Sequence, residues 1–197
     1  MRHWLFTNWK TDAGDTVFKV RDRVGNAAYA GDPQHFVTDP LGRSNGLYLT
    51  TPLTLARATT YGDYTVGFWA KYVNDSTVIR LDSEGGILDI RFPAADRMRI
   101  VSADFDEEFD IDSIVTTWRW FVVRRSGAET LAYQNMILKK TLAGDTAIEC
   151  EGVVLNYGEG GQEAKLFDLR VKASAISLDA LNYYYADLLT GGKKCLP

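Results

Sequence analysis

Tyr64-Thr65-Val66-Gly67-Phe68-Trp69-Ala70-Lys71-Tyr72 is the stretch whose reading decides the fold. Successive side chains of a strand alternate between faces, so Tyr64, Val66, Phe68, Ala70 and Tyr72 point one way while Thr65, Gly67, Trp69 and Lys71 point the other. Shorter runs of the same character occur at residues 78–81, 87–92, 98–101, 118–124, 131–133, 153–157 and 165–171. In the last of these, alternation puts Phe167, Leu169 and Val171 on one face. The separators are rich in turn residues: Asn74-Asp75-Ser76, Ser83-Glu84-Gly85-Gly86, Pro93-Ala94-Ala95-Asp96, Ser126-Gly127, Ala143-Gly144-Asp145 and Gly158-Glu159-Gly160-Gly161. Many short strands divided by such turns predict an antiparallel sandwich or barrel.

One helix is predicted, at the C-terminal end. Ser177 is suited to an N-cap, Leu178, Leu181, Tyr185 and Leu188 follow at helical spacing, and Gly191-Gly192 supplies a stop. A single short amphipathic helix is expected to cover the rim of a sandwich and cannot form a second domain. With no internal repeat, low-complexity tract or linker, residues 1–197 read as a single domain.

For 197 residues, area scaling gives about 9,000 Å² of folded surface against about 32,000 Å² unfolded, so a core forms without staples. A hydrophobic share of 46% and a charged share of 24% exclude a disordered or collagen-like chain. No apolar run approaches the roughly 20 residues of a membrane-spanning helix. The 22 Lys and Arg against 26 Asp and Glu leave a net charge of −4, which argues against a nucleic-acid partner. Met1-Arg2-His3-Trp4-Leu5-Phe6 lacks the apolar core of a secretory leader. Cys150 and Cys195 match no zinc or redox spacing, and their pairing is open. Asn74-Asp75-Ser76 fits a glycosylation sequon but reads as a turn.

Four blocks, in order, resemble the laminin-G-like branch of the concanavalin A-like lectin and glucanase superfamily. His3-Trp4-x-Phe6, with Val20-x-Asp22-x-Val24-Gly25-Asn26 and Gly31, resembles its opening strands. Asp63 to Lys71 is similar to its "ytvsfWvk" strand. Trp118-Arg119-Trp120-Phe121-Val122-Val123-Arg124-Arg125, followed by Tyr133-Gln134-Asn135, resembles "WhhvavtrdG…lYvNG", with Met136 in place of the glycine. Lys165 to Val171, with Ala175-Ile176-Ser177 and Leu181-Asn182-Tyr183-Tyr184, resembles the closing block. The resemblance implies an all-β, two-sheet antiparallel jelly-roll sandwich with about six or seven strands per sheet and one short C-terminal helix.

The sharpest chemical candidate is Glu108-Phe109-Asp110-Ile111-Asp112, because a strand would project its three carboxylates together. Glucanases of the same superfamily carry Glu-x-Asp-x-Glu on a strand. Here the last position is Asp112, one methylene shorter, which spoils the spacing of about 5–5.5 Å that retaining chemistry needs. The segment 104–112 reads instead as a solvated acidic loop or edge strand. Calcium ligands are available at Asp104, Asp106, Asp110 and Asp112, and at Asp82 with Glu84, but they complete no coordinating motif. Gly158 to Gly161 lacks the Lys-Ser/Thr of a phosphate loop and reads as a hairpin turn. His3 falls in a structural block and His35 in an apparent loop, neither near a nucleophile motif. Trp4, Trp69, Trp118 and Trp120 are assigned to packing, while Trp9, Tyr29 and Tyr61 are freer.

No catalytic residue, metal or cofactor is therefore assigned, and the ligand-binding residues are left open. The leading expectation is a non-enzymatic binding or adhesion module for a glycan or protein surface, outside the membrane and without nucleic acid. The alternative is a bacteriophage virion component, in contact with other virion proteins, and a glucanase ranks third. The expected location is a virion surface or the extracellular space.

Overall fold

The computed structural model describes residues 2–10, 16–22, 27–28, 35–42, 46–50, 52–72, 74–82, 88–144, 147–157 and 163–189. Its strands are β1 (Arg2–Lys10), β2 (Thr16–Asp22), β3 (Ala27–Ala28), β4 (His35–Val37), β5 (Gly46–Leu49), β6 (Leu53–Tyr61), β7 (Tyr64–Lys71) and β8 (Ser76–Asp82). They continue with β9 (Leu88–Ala94), β10 (Arg97–Val101), β11 (Asp106–Asp110), β12 (Arg119–Ser126), β13 (Glu129–Gln134), β14 (Ile137–Ala143), β15 (Ile148–Tyr157) and β16 (Ala164–Lys172). The helix α1 (Leu178–Leu189) follows.

The strands form two antiparallel sheets, so the all-β sandwich with one C-terminal helix is what the chain adopts. The larger has ten strands, ordered β14-β13-β12-β7-β16-β1-β2-β3, with β5 also paired to β16 and β4 to β5. The smaller has six, ordered β11-β10-β9-β8-β15-β6. The sheets are less equal than expected, because the N-terminal strands β1 to β5 all join the larger one.

Alternation in β7 runs as read: Tyr64, Val66, Phe68 and Ala70 belong to the core between the sheets, and Trp69 belongs to a second cluster outside it. Phe92 sits 4.9 Å from Phe121, and Phe68 5.7 Å from Phe121, centroid to centroid. All three are fully buried, and each such ring contributes roughly 1.5–3 kcal/mol.

Several expectations are corrected. Leu169 and Val171 face the core but Phe167 does not; it packs in the outer cluster. β16 slips against β7 between Phe167 and Arg170, and Asp168, at the slip, has φ of +52°. One residue in the left-handed region interrupts the alternation. His35 lies in β4, opposite Tyr48, rather than in a loop. Pro93 and Ala94 end β9, so the turn is only Ala95-Asp96. Residues 158–161 lie outside the described residues, yet the strands on either side, β15 and β16, belong to different sheets, so the link joins sheets and is no hairpin. Ser177 does cap α1, its Oγ accepting from Ala180 N at 3.3 Å. The helix covers the outer face of the larger sheet rather than a rim, with Leu181 buried and Leu178 exposed.

Candidate functional site

The outer face of the larger sheet carries Trp69 opposite Trp120, their centroids 5.9 Å apart. Gly67, the next outward position of β7, is what lets the Trp120 ring lie across that strand: a Cβ there would sit 2.8 Å from Trp120 Cζ2. Val122, Tyr133 and Phe167 complete the sheet side of the cluster. α1 closes over it, with Tyr185 stacked on Trp69 at 5.8 Å and 15°. Thr65 anchors the segment leading into the helix. Its Oγ1 donates to Ser174 O at 2.9 Å and accepts from Ile176 N at 3.0 Å.

Beside the helix the face turns polar. Arg170 Nε donates to Asp168 Oδ2 at 3.0 Å, and Nη2 lies 2.9 Å from the same oxygen, both side chains buried. The Arg170 guanidinium sits 4.9 Å from the ring centre of Tyr184 on α1, a cation–π contact. Holding a left-handed Asp168 costs on the order of 1–3 kcal/mol, and the deviation places Arg170 and Lys172 outward. A recess of about 220 Å³ opens here, lined by Thr65, Gly67, Trp120, Arg170, Lys172 and Tyr184.

A second recess, of about 270 Å³, lies at one end of the sandwich among Tyr64, Ser102, Asp104, Arg125 and Thr130. Tyr64 and Thr130 share a hydrogen bond of 3.4 Å, and burial pushes the Tyr64 phenol upward. Arg125 Nε donates to Gly127 O. The side chains lining this recess offer hydrogen-bonding groups.

The outer face of the smaller sheet has a different character. Arg80 pairs with Asp89, Arg91 with Asp75 at 2.6 Å, Arg99 with Asp106 at 2.6 Å, and Arg97 with Asp110 at 2.7 Å. The bonded Arg99 guanidinium holds the Asp106 carboxyl below its ordinary range. Arg80 also lies 3.4 Å over the ring of Tyr157.

The acidic segment is explained by these pairs. Residues 106–110 form the edge strand β11, as one of its two readings expected. Glu108 stands opposite Arg99, and Asp110 opposite Arg97. Asp112 lies past the strand end and turns away to Lys139 at 2.7 Å, while Glu107 reaches Lys140 at 3.3 Å. The three carboxylates of 108–112 therefore do not converge on one substrate. Buried Gln134 grips the backbone of Asp112 from both sides, accepting from its N–H and donating to its carbonyl, each at 2.7 Å. These contacts tie the edge of the smaller sheet to β13 and β14. Among the described residues, no three of His, Cys, Asp and Glu are grouped to hold a metal ion.

Trp69 and Trp120 are packing residues, and half-buried Trp118 donates through Nε1 to Thr38 O at 2.9 Å. The side chains of His3, Trp4, Trp9 and Cys150 lie outside the described residues, as do Tyr29, Glu84 and Cys195 entirely. Sequence reading missed Arg124, Asp168, Arg170 and Lys172. The available signal was the polar pair within Phe167-Asp168-Leu169-Arg170, an interruption that strict alternation treats as solvent-facing.

The sequence matches no protein-family model and no curated protein. Solved structures do match. The binding domain of botulinum neurotoxin serotype G superposes with a TM-score of 0.70 at 13% identity, over 95% of this chain and 50% of that one. The binding domain of Paraclostridial Mosquitocidal Protein 1 gives 0.69 at 12%, over 95% and 52%. The ligand-binding domain of serotype D, solved in complex with N-acetylneuraminic acid, gives 0.66 at 16%, over 92% and 50%. What is shared is the fold. The chain spans about half the length of each of these solved domains, and all three are binding domains.

Proposed function

We propose that the chain is a non-catalytic binding module of the laminin-G-like, concanavalin A-like type, and that it takes a carbohydrate on the outer face of its larger sheet. The observation that carries this reading is the recess beside α1, where Tyr184, Arg170 and Lys172 offer donors next to an aromatic wall. Sugar recognition combines polar groups of this kind with aromatic surface. The pairing of Asp106, Glu107, Asp110 and Asp112 with cations supports a structural role for the acidic segment over a catalytic one. The solved relatives in fold lend weight as binding domains, one of them described with a sugar ligand. No observation among the described residues favours the virion alternative.

A glycan array probed with the purified chain tests the reading. Retention of a defined glycan subset is expected, and failure to retain any glycan would overturn the carbohydrate assignment. Release of reducing sugar from β-glucans, abolished by Glu108→Gln, would overturn the non-catalytic one.

A further inference from the structure

Buried side-chain donors in proteins almost always have an acceptor. Among the described residues four do not: Trp69 Nε1, Arg119 Nε, Trp120 Nε1 and Arg124 Nε. All four belong to the paired strands β7 and β12, and the register puts Trp69, Trp120 and Arg124 on the same outward face. The cations on that face repeat the pattern. Arg124 stands opposite Thr65 on one side and Lys172 stands opposite it on the other, with Arg170 two residues from Lys172. Arg170 has Asp168, but neither Arg124 nor Lys172 has an ion-pair partner among the described residues. Glu129, the next acidic position on β13, stands opposite Ser126 rather than Arg124. The acceptorless donors Trp120 Nε1 and Arg124 Nε and the unpaired cations Arg124 and Lys172 thus share the outward face of β12, β7 and β16, while Arg119, opposite core-facing Ala70, belongs to the other face.

We propose that this patch is an oxyanion subsite, which takes the carboxylate or sulfate ester of an acidic sugar. The inference rests on the carbohydrate reading above and names the class of sugar. Guanidinium and ammonium groups form their strongest hydrogen bonds with such anions. The recess is lined by Arg170 and Lys172, while Trp120 is only 1% exposed and out of reach for ring stacking. The charged substituent therefore enters beside Lys172, and the pyranose ring stays outside against half-buried Tyr184. A neutral sugar would leave the cations unanswered and bind more weakly.

The test is nitrogen-15 NMR of the full chain, titrated with a glucuronate-terminated disaccharide, a 6-sulfated disaccharide, their neutral parent and inorganic sulfate. The Trp120 indole signal is assigned through Trp120→Phe. The acidic sugars are expected to shift that signal and the amides of Thr65, Gly67 and Lys172 saturably, at least about tenfold more tightly than the neutral parent. The two acidic arms distinguish carboxylate from sulfate. Lys172→Gln and Arg124→Gln, each with an unchanged melting midpoint, should each weaken the acidic sugars by about tenfold, a larger loss than either causes for the neutral parent. Equal binding of neutral and acidic sugars, or acidic binding untouched by both substitutions, overturns the oxyanion subsite while the carbohydrate reading stands. Saturable binding of inorganic sulfate at these residues without binding of any sugar overturns the carbohydrate reading and leaves the oxyanion site. Shifts confined to the smaller sheet, or none with any probe, overturn both.

Discussion

The two sheets of this sandwich use their outward faces in opposite ways. On the smaller sheet each arginine of the row Arg80, Arg91, Arg97 and Arg99 meets an aspartate, so the face neutralises itself and stays open to water. On the larger sheet the outward positions are aromatic and covered by α1, and the charges at the margin of that cover are unequal, with Arg124 and Lys172 unmatched beside the Asp168–Arg170 pair. A face already paired internally has little to offer a ligand, because binding must first break what is there. A face with idle donors has its interaction energy still available.

The largest expected difference between the faces is in stability. Trp120→Ala removes a fully buried ring and should lower the unfolding free energy by about 3–5 kcal/mol in a urea titration. A loss below about 1 kcal/mol would mean the α1 cover is loose. Gly67→Ala should cost about 1–3 kcal/mol, because the new methyl group must push the Trp120 ring aside; a stabilised variant would show that the ring has room. On the smaller sheet and its edge, Asp110→Asn and Asp112→Asn should each stay within about 0.5 kcal/mol of the parent, as exposed positions do. A larger loss, or a melting midpoint that rises with calcium and falls with chelator, would turn the acidic edge into a functional site.

The smallest effect is with pH. The Asp106 carboxyl is held low by Arg99, so ionisation favours the folded chain. That contribution is present above the unfolded carboxyl pKa of about 3.9 and disappears as pH falls through the folded value below it. Asp106→Asn should therefore match the parent more closely at the acid end than at neutral pH, and added salt should shrink the difference. The opposite trend would remove Arg99 as the cause.

Alternation made the core face of β7 legible, since nothing interrupts its period of two, and the N-cap at Ser177 was equally plain. The outer face of β16 was not. A single left-handed Asp168 exchanges inward and outward positions, and no local residue preference announces it, because aspartate tolerates that conformation without demanding it. Met136 shows the same limit. It takes φ of +66° in the β13–β14 turn where the resembling pattern has glycine, and the turn forms regardless because Asn135 N donates to Trp120 O at 2.8 Å and Asn135 Oδ1 accepts from Trp120 N at 3.1 Å. The acidic run 104–112 looked like chemistry because the sequence could not reveal that Arg97, Arg99, Lys139 and Lys140 would face it. Arg124 and Lys172 lay hidden for the converse reason: nothing local says that no anion will face them.

The claim that, among the described residues, only the larger sheet presents unmatched cations is tested most directly by comparing two double variants in titration calorimetry with an acidic disaccharide. Arg124→Gln/Lys172→Gln should weaken binding by about tenfold or more, whereas Arg97→Gln/Asp110→Asn, which removes a matched pair from the other face, should stay within about twofold of the parent. Equal loss in both, or loss only in the second, would contradict the account.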